Sequence, residues 1–239
     1  MQNGAVACRE NGVGRMIHVS SVAAIGIPMK GDPPADESFR FNLDGTRLYY
    51  HISKHKGEML VRAEAEKGLD AVVVYPGWIF GPDPRAYRGY AMIRKALGKK
   101  PIGYFPGGVS PVHVIDVVDG IVRAMHKAPK SGRFILAGEN ITFKELVQRV
   151  VQRTGSRAPI IRVPNALTAT VAVIESPISL MRGKVPRITY AGYLTGKLMN
   201  HYSSDHARSV LGYNPRNFDA ILTDALELGP RIRPVQVDT

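Results

Sequence analysis

Residues 15–26 read R-M-I-H-V-S-S-V-A-A-I-G, a short apolar run followed by two serines. The apolar residues 16–19 lie between Gly14 and Ser20, and a run of this length predicts a buried strand of a parallel sheet. Ser20 and Ser21 would stand at the carboxyl end of that strand, which is the edge where open α/β sheets bind their ligands. This stretch therefore predicts an α/β fold with a polar site at one sheet edge.

The following segments complete a strand–helix–strand unit. Residues 53–67 have helical periodicity and consist largely of good helix formers. Residues 69–82 read L-D-A-V-V-V-Y-P-G-W-I-F-G-P, with a β-branched strand expected over 71–75. We expect this strand to stop at Pro76-Gly77, because proline cannot donate to a ladder and glycine permits a close backbone approach.

Tyr50 and Lys54 are four residues apart at the start of the predicted helix. Residues at this spacing share one helix face, so the Lys54 ammonium can lie close to the Tyr50 phenol. A neighbouring cation favours the phenolate form of a tyrosine, and a tyrosine tuned in this way can serve as a general acid and base. The spacing alone also fits a surface tyrosine and a solvated lysine, so the hypothesis depends on the strands that converge nearby.

Six segments occur in an order and at spacings that resemble a known family. They are V-S-S-V-A-A-I-G at 19–26, Y-H-I-S-K-H-K-G-E at 50–58, Y-P-G-W-I-F-G-P at 75–82, V-H-V-I-D-V-V-D-G at 112–120, G-R-F-I-L-A-G-E-N-I-T-F-K-E-L at 132–146 and S-D-H-A-R-S-V-L-G-Y-N-P at 204–215. Over nearly its whole length the chain resembles the extended short-chain dehydrogenase/reductases. Within them it is most similar to the NAD-dependent epimerase/dehydratase and dihydroflavonol reductase-like group.

The resemblance implies an α/β fold that is the C-terminal part of a doubly wound, Rossmann-like parallel sheet. A smaller mixed α/β portion would bind the substrate. Residues 1–86 would form the C-terminal half of the Rossmann-like domain, and residues 87–239 would form mainly the substrate-binding portion. Residues 113–137 are expected to return to the Rossmann sheet.

The resemblance also implies roles for individual residues. Ser21 matches the serine that hydrogen-bonds the substrate oxygen, and Tyr50 matches the proton donor and acceptor. Lys54 matches the lysine that favours the phenolate and hydrogen-bonds the nicotinamide ribose. The turn formed by Pro76, Gly77, Trp78 and Ile79 matches the backbone beside the nicotinamide. The implied cofactor is NAD or NADP, with hydride transfer at an alcohol or ketone carbon of a small molecule.

The nature of the substrate stays open in the sequence. Phe80 is a candidate substrate-binding residue, and its apolar surroundings suit a hydrophobic or cyclic ketone. Arg85 and Arg88 would equally suit the pyrophosphate of a nucleotide sugar. A reductase or dehydrogenase is favoured over a nucleotide-sugar epimerase or dehydratase. A non-catalytic binding or assembly module that retains the scaffold is the alternative from another class.

The glycine-rich phosphate turn of such relatives does not occur in the 239 residues. Gly12-Val-Gly14 leads into a strand rather than a helix, and Gly107-Gly108 is followed by V-S-P. Three explanations stay open: the chain is a fragment, a separate chain supplies the N-terminal half, or dinucleotide binding has been lost. A homodimer is a further alternative for assembly.

The net charge of +12 comes from basic residues that are spread along the chain and do not alternate with aromatics. This distribution favours a solvated basic surface over a nucleic-acid-binding face. The apolar segment 167–180 is shorter than a bilayer requires, so we expect a buried helix there, with attachment to a membrane surface as the less favoured alternative.

The remaining observations concern cysteine and histidine. A single cysteine, Cys8, excludes an internal disulfide and is compatible with a reducing, cytoplasmic location. His51 and His55 have a metal-compatible spacing, but no carboxylate completes a ligand set, so no metal is expected.

Overall fold

The computed structural model describes residues 2–81, 101–164 and 190–228. The helices are α1 (Gln2–Glu10), α2 (Tyr49–Glu66), α3 (Val114–Lys127), α4 (Phe143–Thr154), α5 (Tyr190–Gly196), α6 (Asp205–Leu211) and α7 (Phe218–Leu228), with a 3-10 turn over Val22–Ala24. The strands are β1 (Met16–Val19), β2 (Ala71–Pro76), β3 (Trp78–Phe80), β4 (Ile102–Tyr104), β5 (Gly108–Val109), β6 (Pro111–His113), β7 (Arg133–Leu136), β8 (Ile141–Thr142) and β9 (Ile160–Arg162). Arg85, Arg88 and the segment 167–180 lie outside the described ranges.

In the described part of the chain, the main sheet has three parallel strands in the order β1-β2-β7. The central strand β2 is buried along its whole length, because helices cover both of its faces and its valines pack on both sides. The strand begins at Ala71 and ends at Pro76, where proline interrupts the ladder. The predicted α/β class with a parallel, Rossmann-like sheet is confirmed.

The two outer edges of this sheet differ. At the β7 edge, the Glu37 carboxylate accepts a hydrogen bond from the Ile135 amide at 2.7 Å. At the β1 edge, the amides of Met16 and Ser20 donate to β2, so by alternation those of Ile17 and Val19 point outward. Within the described ranges no strand pairs with this outward edge of β1.

Helix α3 covers one face of the sheet, and two small residues allow its close approach. A Cβ atom on Gly120 would lie 2.7 Å from the Leu136 side chain, and Ala124 is fully buried. Apolar side chains also occupy the other side of this helix, at Val118, Val122 and Met125. Together with Ile115 they form an exposed apolar stripe, with each side chain between 44% and 56% exposed. The side of α3 with Gly120 faces the sheet, because only there can the helix lie close to the strands.

Local signals in the sequence set the helix boundaries. The helix expected over 53–67 begins earlier, at Tyr49, and ends at Glu66. Helix α4 begins with a capping box, in which Thr142 Oγ1 accepts from the Glu145 amide and the Glu145 carboxylate accepts from the Thr142 amide. Gly212 has a φ of 69° and ends α6 in the left-handed region.

Outside the main sheet, the described residues from Trp78 onward, called here the C-terminal portion, form three short strand pairs and a separate apolar core. The strand pairs are β3–β6 and β4–β9, which are parallel, and β5–β8, which is antiparallel. Phe80 packs on Phe218 with ring centroids 5.6 Å apart, in a cluster with residues of α4 and α7. Within the described ranges, none of the helices combines the length and the hydrophobicity needed to cross a bilayer.

Candidate functional site

Ser21 lies directly after β1, at the carboxyl edge of the main sheet. Its backbone is extended, and its hydroxyl oxygen accepts a hydrogen bond from the Ala23 amide at 3.2 Å, which caps the 3-10 turn. This bond uses the oxygen as an acceptor and leaves the hydroxyl hydrogen for another group. The neighbouring Ser20 is buried, and its hydroxyl has no hydrogen-bond partner within the described part of the chain.

Tyr50 and Lys54 lie one turn apart at the N-terminal end of α2. The Lys54 ammonium is 6.0 Å from the centroid of the Tyr50 ring, and Tyr50 is 57% exposed. The Ser53 hydroxyl donates to the Tyr50 carbonyl at 2.9 Å. The structure therefore places a phenol and an ammonium side by side and open to an approaching molecule.

A histidine joins this helix to the turn that follows Ser21. His55 Nδ1 lies 2.9 Å from the Ala24 carbonyl oxygen, and the His55 ring stacks on Phe41 at 3.9 Å. From the sequence, His55 was a candidate only for metal binding. No sequence pattern indicated its contact with Ala24, which is 31 residues away in the chain. Within the described ranges, no three His, Cys, Asp or Glu side chains are arranged to hold a metal ion.

The histidines beside Lys54 contribute little positive charge. Burial lowers the pKa of His18 on β1, and the nearby Lys54 charge lowers it further. Burial also lowers the pKa of His51 on α2. Both imidazoles are therefore neutral at physiological pH, and Lys54 itself supplies the charge beside Tyr50.

The turn after β2 runs close to a neighbouring backbone. The Gly77 amide donates to the Leu136 carbonyl at 3.0 Å, and the Trp78 amide donates to the Ser110 carbonyl at 2.9 Å. A Cβ atom on Gly77 would lie 2.5 Å from the Ser110 carbonyl oxygen, so only glycine fits here. Pro76 and Gly77 thus end β2 beside β7, on the same sheet edge as Ser21.

Replacing Gly77 with Ala should lower the free energy of unfolding by about 2 kcal/mol, because backbone must move to admit the methyl group. Denaturant unfolding followed by circular dichroism measures the change. Gly4→Ala is the matched control, since a Cβ atom at this position would meet no other atom within 4 Å and alanine favours the helix α1. Equal stability of the Gly77→Ala variant and the native chain would contradict the close approach.

The aromatic residues after this turn belong mainly to the C-terminal core. Trp78 packs edge-on against Phe80 and Phe143, at 5.1 Å and 5.9 Å between centroids. Phe80 is only 2% exposed, because its ring is enclosed by the core around Phe218. The expectation that Phe80 contacts substrate is therefore wrong. The neighbouring Ile79, in contrast, is 39% exposed.

A polar recess of about 180 Å³ lies near the carboxyl end of β7. It is lined by Pro34, Gly138, Asn140, Tyr202, Ser203, Ser204, Asp205 and Arg208. Among the residues that the structure describes, no predicted site residue lines this recess. The candidate site is instead the open edge formed by Ser21, Tyr50, Lys54 and the turn at Gly77.

Comparisons with known proteins agree on one family. A sequence model of the NAD dependent epimerase/dehydratase family matches residues 2–138, which is more than half of the chain. The putative dihydroflavonol 4-reductase of Synechocystis sp. is 29% identical over 228 residues, covering 92% of this chain and 66% of that protein. Sterol demethylase protein B of Methylococcus capsulatus is 28% identical over 222 residues, covering 91% and 67%. The chain thus spans about two thirds of the length of these relatives.

A solved structure is similar over the same extent. The crystal structure of gox2253 superimposes with a TM-score of 0.79 at 32% sequence identity, covering 96% of this chain and 70% of that one. The similarity includes both the main sheet and the C-terminal portion, because it covers nearly all of this chain.

Proposed function

This chain belongs to the NAD dependent epimerase/dehydratase family, and we propose that it carries the catalytic edge of an NAD- or NADP-dependent oxidoreductase. The reaction is reduction of a ketone, or oxidation of the corresponding alcohol, in a hydrophobic or cyclic small molecule. The observation that carries the proposal is that the Tyr50 phenol lies beside the Lys54 ammonium on α2. A hydrogen bond from His55 attaches this helix to the turn that Ser21 caps.

Each side chain has a separate task in this reaction. Tyr50 donates its hydroxyl proton to the carbonyl oxygen as the carbon is reduced. The free hydroxyl hydrogen of Ser21 donates to the same oxygen and stabilises the charge that develops there. Lys54 places a positive charge 6.0 Å from the centroid of the Tyr50 ring, on the same face of α2.

The same edge offers partners for a nicotinamide nucleotide, which when bound supplies or accepts the hydride. The Lys54 ammonium and the Tyr50 hydroxyl would hold the ribose hydroxyls. The turn from Pro76 to Ile79 would lie along the nicotinamide, because it is at the carboxyl edge of the sheet that also carries Ser21.

The substrate class follows from the relatives and from the exposed side chains. Two relatives that match over 90% of this chain are a putative dihydroflavonol 4-reductase and a sterol demethylase protein B. In this chain the exposed Ile79 provides apolar surface next to the proposed nicotinamide position. A cyclic ketone is therefore a better fit than a charged sugar nucleotide.

We infer that the pyrophosphate-binding part of the site comes from an additional strand–helix unit that docks on the outward edge of β1. Other elements normally cover both faces of a parallel sheet. Val19, on the edge strand β1, is nevertheless 46% exposed. The exposed stripe of α3 lies on the same side, since the Arg15 guanidinium beside β1 donates to the Met125 carbonyl at 2.9 Å. A strand parallel to β1, followed by a helix over Val19 and the stripe, would cover both.

This docking surface can be tested with a lysine in the stripe. The probe is the part of the Synechocystis relative that lies outside its match with this chain. We expect it to bind the native chain and to bind Val118→Lys at least about tenfold more weakly, because the lysine would have to be buried. Calorimetry measures the dissociation constant. The control is Val210→Lys on α6, another exposed valine, and equal binding by both variants would contradict this surface.

The reaction itself is tested by following NADH and NADPH absorbance with the chain and the probe together. We expect reduction of cyclic ketones such as steroid or flavonoid-like compounds, and no conversion of UDP-sugars. Turnover of UDP-sugars without ketone reduction would replace the proposed reductase with an epimerase. Absence of any cofactor-dependent conversion would overturn the proposal.

A further inference from the structure

Ser21 and Tyr50 of the proposed site lie on two separate chain segments. The local structure of each segment does not fix its position relative to the other. Tyr50 lies in the first turn of α2, and Leu48 at the N-cap position makes no side-chain capping bond. First turns without a cap have unpaired amides and fray readily. Ser21 lies on a 3-10 turn of only three residues. The relative position of the two therefore needs a contact between the segments.

His55 provides that contact. Its Nδ1 atom lies 2.9 Å from the carbonyl oxygen of Ala24, the last residue of the turn that Ser21 caps. A carbonyl oxygen can only accept, so Nδ1 carries the hydrogen and donates it. His55 directly follows Lys54 in the sequence, so the bond attaches the α2 segment that contains Lys54 to the turn that begins at Ser21.

The orientation of the imidazole is fixed by a second contact. The Phe41 ring stacks on His55 with the centroids 3.9 Å apart and the planes 7° from parallel. Phe41 belongs to the loop between the 3-10 turn and α2, and it packs beside Leu43 and Leu48. The loop therefore holds the imidazole in the plane from which Nδ1 can reach Ala24.

We propose that His55 is a positioning residue that sets the distance between the Ser21 hydroxyl and the Tyr50 phenol. This role rests on the proposed function, because it matters only if both groups contact the same substrate oxygen. A substrate oxygen can accept from both hydroxyls only when each lies within hydrogen-bond distance of it. A displacement of about 1 Å in such an arrangement can cost up to about a hundredfold in rate.

Three substitutions distinguish the effect of the His55 hydrogen bond from the effect of its ring stacking. His55→Phe keeps an aromatic ring for Phe41 and removes the donor. His55→Asn removes the ring and keeps a donor, because the amide nitrogen of asparagine takes the place of Nδ1. Phe41→Leu keeps the imidazole and removes the stacking partner. His206→Phe on α6 is the matched control, since His206 is exposed and its ring also stacks on a phenylalanine, Phe134.

With the chain and the probe defined above, we expect His55→Phe to lower kcat for a cyclic ketone about tenfold or more with little change in KM. His55→Asn should recover most of that loss, and Phe41→Leu should lie between the two. The control should match the native chain. If His55 only stabilised the fold, its variants would lose folded fraction and melting temperature, and their kcat values would not follow this order. Equal kcat for His55→Phe and the native chain would overturn the proposal.

Two measurements on the chain alone test the positioning role of His55 without measuring turnover. The ¹⁵N resonances of His55 should show the tautomer with hydrogen on Nδ1. The amides of Ala24 and Ile25, which donate to Ser21 and Val22, should exchange at least about tenfold faster in His55→Phe because the turn opens more often. Hydrogen on Nε2, or unchanged exchange, would overturn the positioning role even in an active enzyme. If these results hold and no turnover is seen, the proposed function fails instead.

Discussion

Replacement of Tyr50 with Phe is expected to lower turnover by at least about a hundredfold in the assembled enzyme, while the dissociation constant for NADH changes little. The reason is that phenylalanine keeps the ring and its exposure but has no hydroxyl to donate. The Lys54 ammonium stays in place to hold the ribose, so most of the proposed cofactor contacts survive. Stopped-flow absorbance of NADH oxidation gives the rate, and fluorescence titration gives the affinity.

Tyr49 supplies a matched control for this experiment. It precedes Tyr50 on the same first turn of α2, and it is 72% exposed. Tyr49→Phe removes the same hydroxyl from the same helix end, and it should leave turnover within about twofold of the native value because surface substitutions seldom perturb a neighbouring site. Similar losses in both variants would point to a general effect on the helix end. Full activity of Tyr50→Phe would exclude Tyr50 as the proton donor.

The parts of the fold that could be predicted from the sequence depend on short-range patterns. The strand over 71–75 was predictable because its valines are consecutive and Pro76 ends the ladder. The start of α4 was predictable because Thr142 and Glu145 form a capping box within a single turn. For the candidate site, the spacing of Tyr50 and Lys54 on a helix is equally local, and the structure brings the two together.

The parts that the sequence did not predict depend on contacts between distant segments. The helical period of α3 identifies two apolar sides but not which one faces the sheet. That choice is made by Gly120, whose missing side chain admits Leu136. Phe80 was a candidate substrate-binding residue because of its apolar surroundings in the sequence, yet it is enclosed by Phe218, which is 138 residues further along the chain. No local pattern contains such information.

A buried polar network attaches α2 to the sheet, and no motif indicated it. The Glu58 carboxylate, which is 1% exposed, accepts a hydrogen bond from the Tyr75 hydroxyl at 2.7 Å. The Arg133 guanidinium donates to the same hydroxyl at 2.7 Å and lies 3.5 Å from Glu58. It also donates to the Glu37 carbonyl at 2.7 Å. Burial raises the pKa of Tyr75, as does the neighbouring Glu58 charge, so the phenol stays protonated and donates.

Glu58 is one turn beyond Lys54 on α2, so this network holds the helix that carries the catalytic pair. Replacing Glu58 with Ala should lower the free energy of unfolding by about 3–5 kcal/mol. The loss is large because the variant leaves the buried Tyr75 hydroxyl without its acceptor and removes the negative charge that lies 3.5 Å from the mostly buried Arg133 guanidinium. Urea unfolding followed by circular dichroism measures the change, and Glu66→Ala, an exposed glutamate on the same helix, should change it by less than about 0.5 kcal/mol.

A double-mutant cycle shows whether the effect comes from the network rather than from lost packing. Arg133→Ala alone should also destabilise the chain, since it removes the nearer of the two cations beside the buried Glu58 carboxylate and leaves only Arg62 at 4.0 Å. The double variant should be less destabilised than the sum of the two single variants by at least about 1 kcal/mol, because neither charge is then left alone. Strictly additive losses would show that Glu58 and Arg133 do not interact, and the anchor of α2 would then have to be assigned to the apolar contacts around Val61.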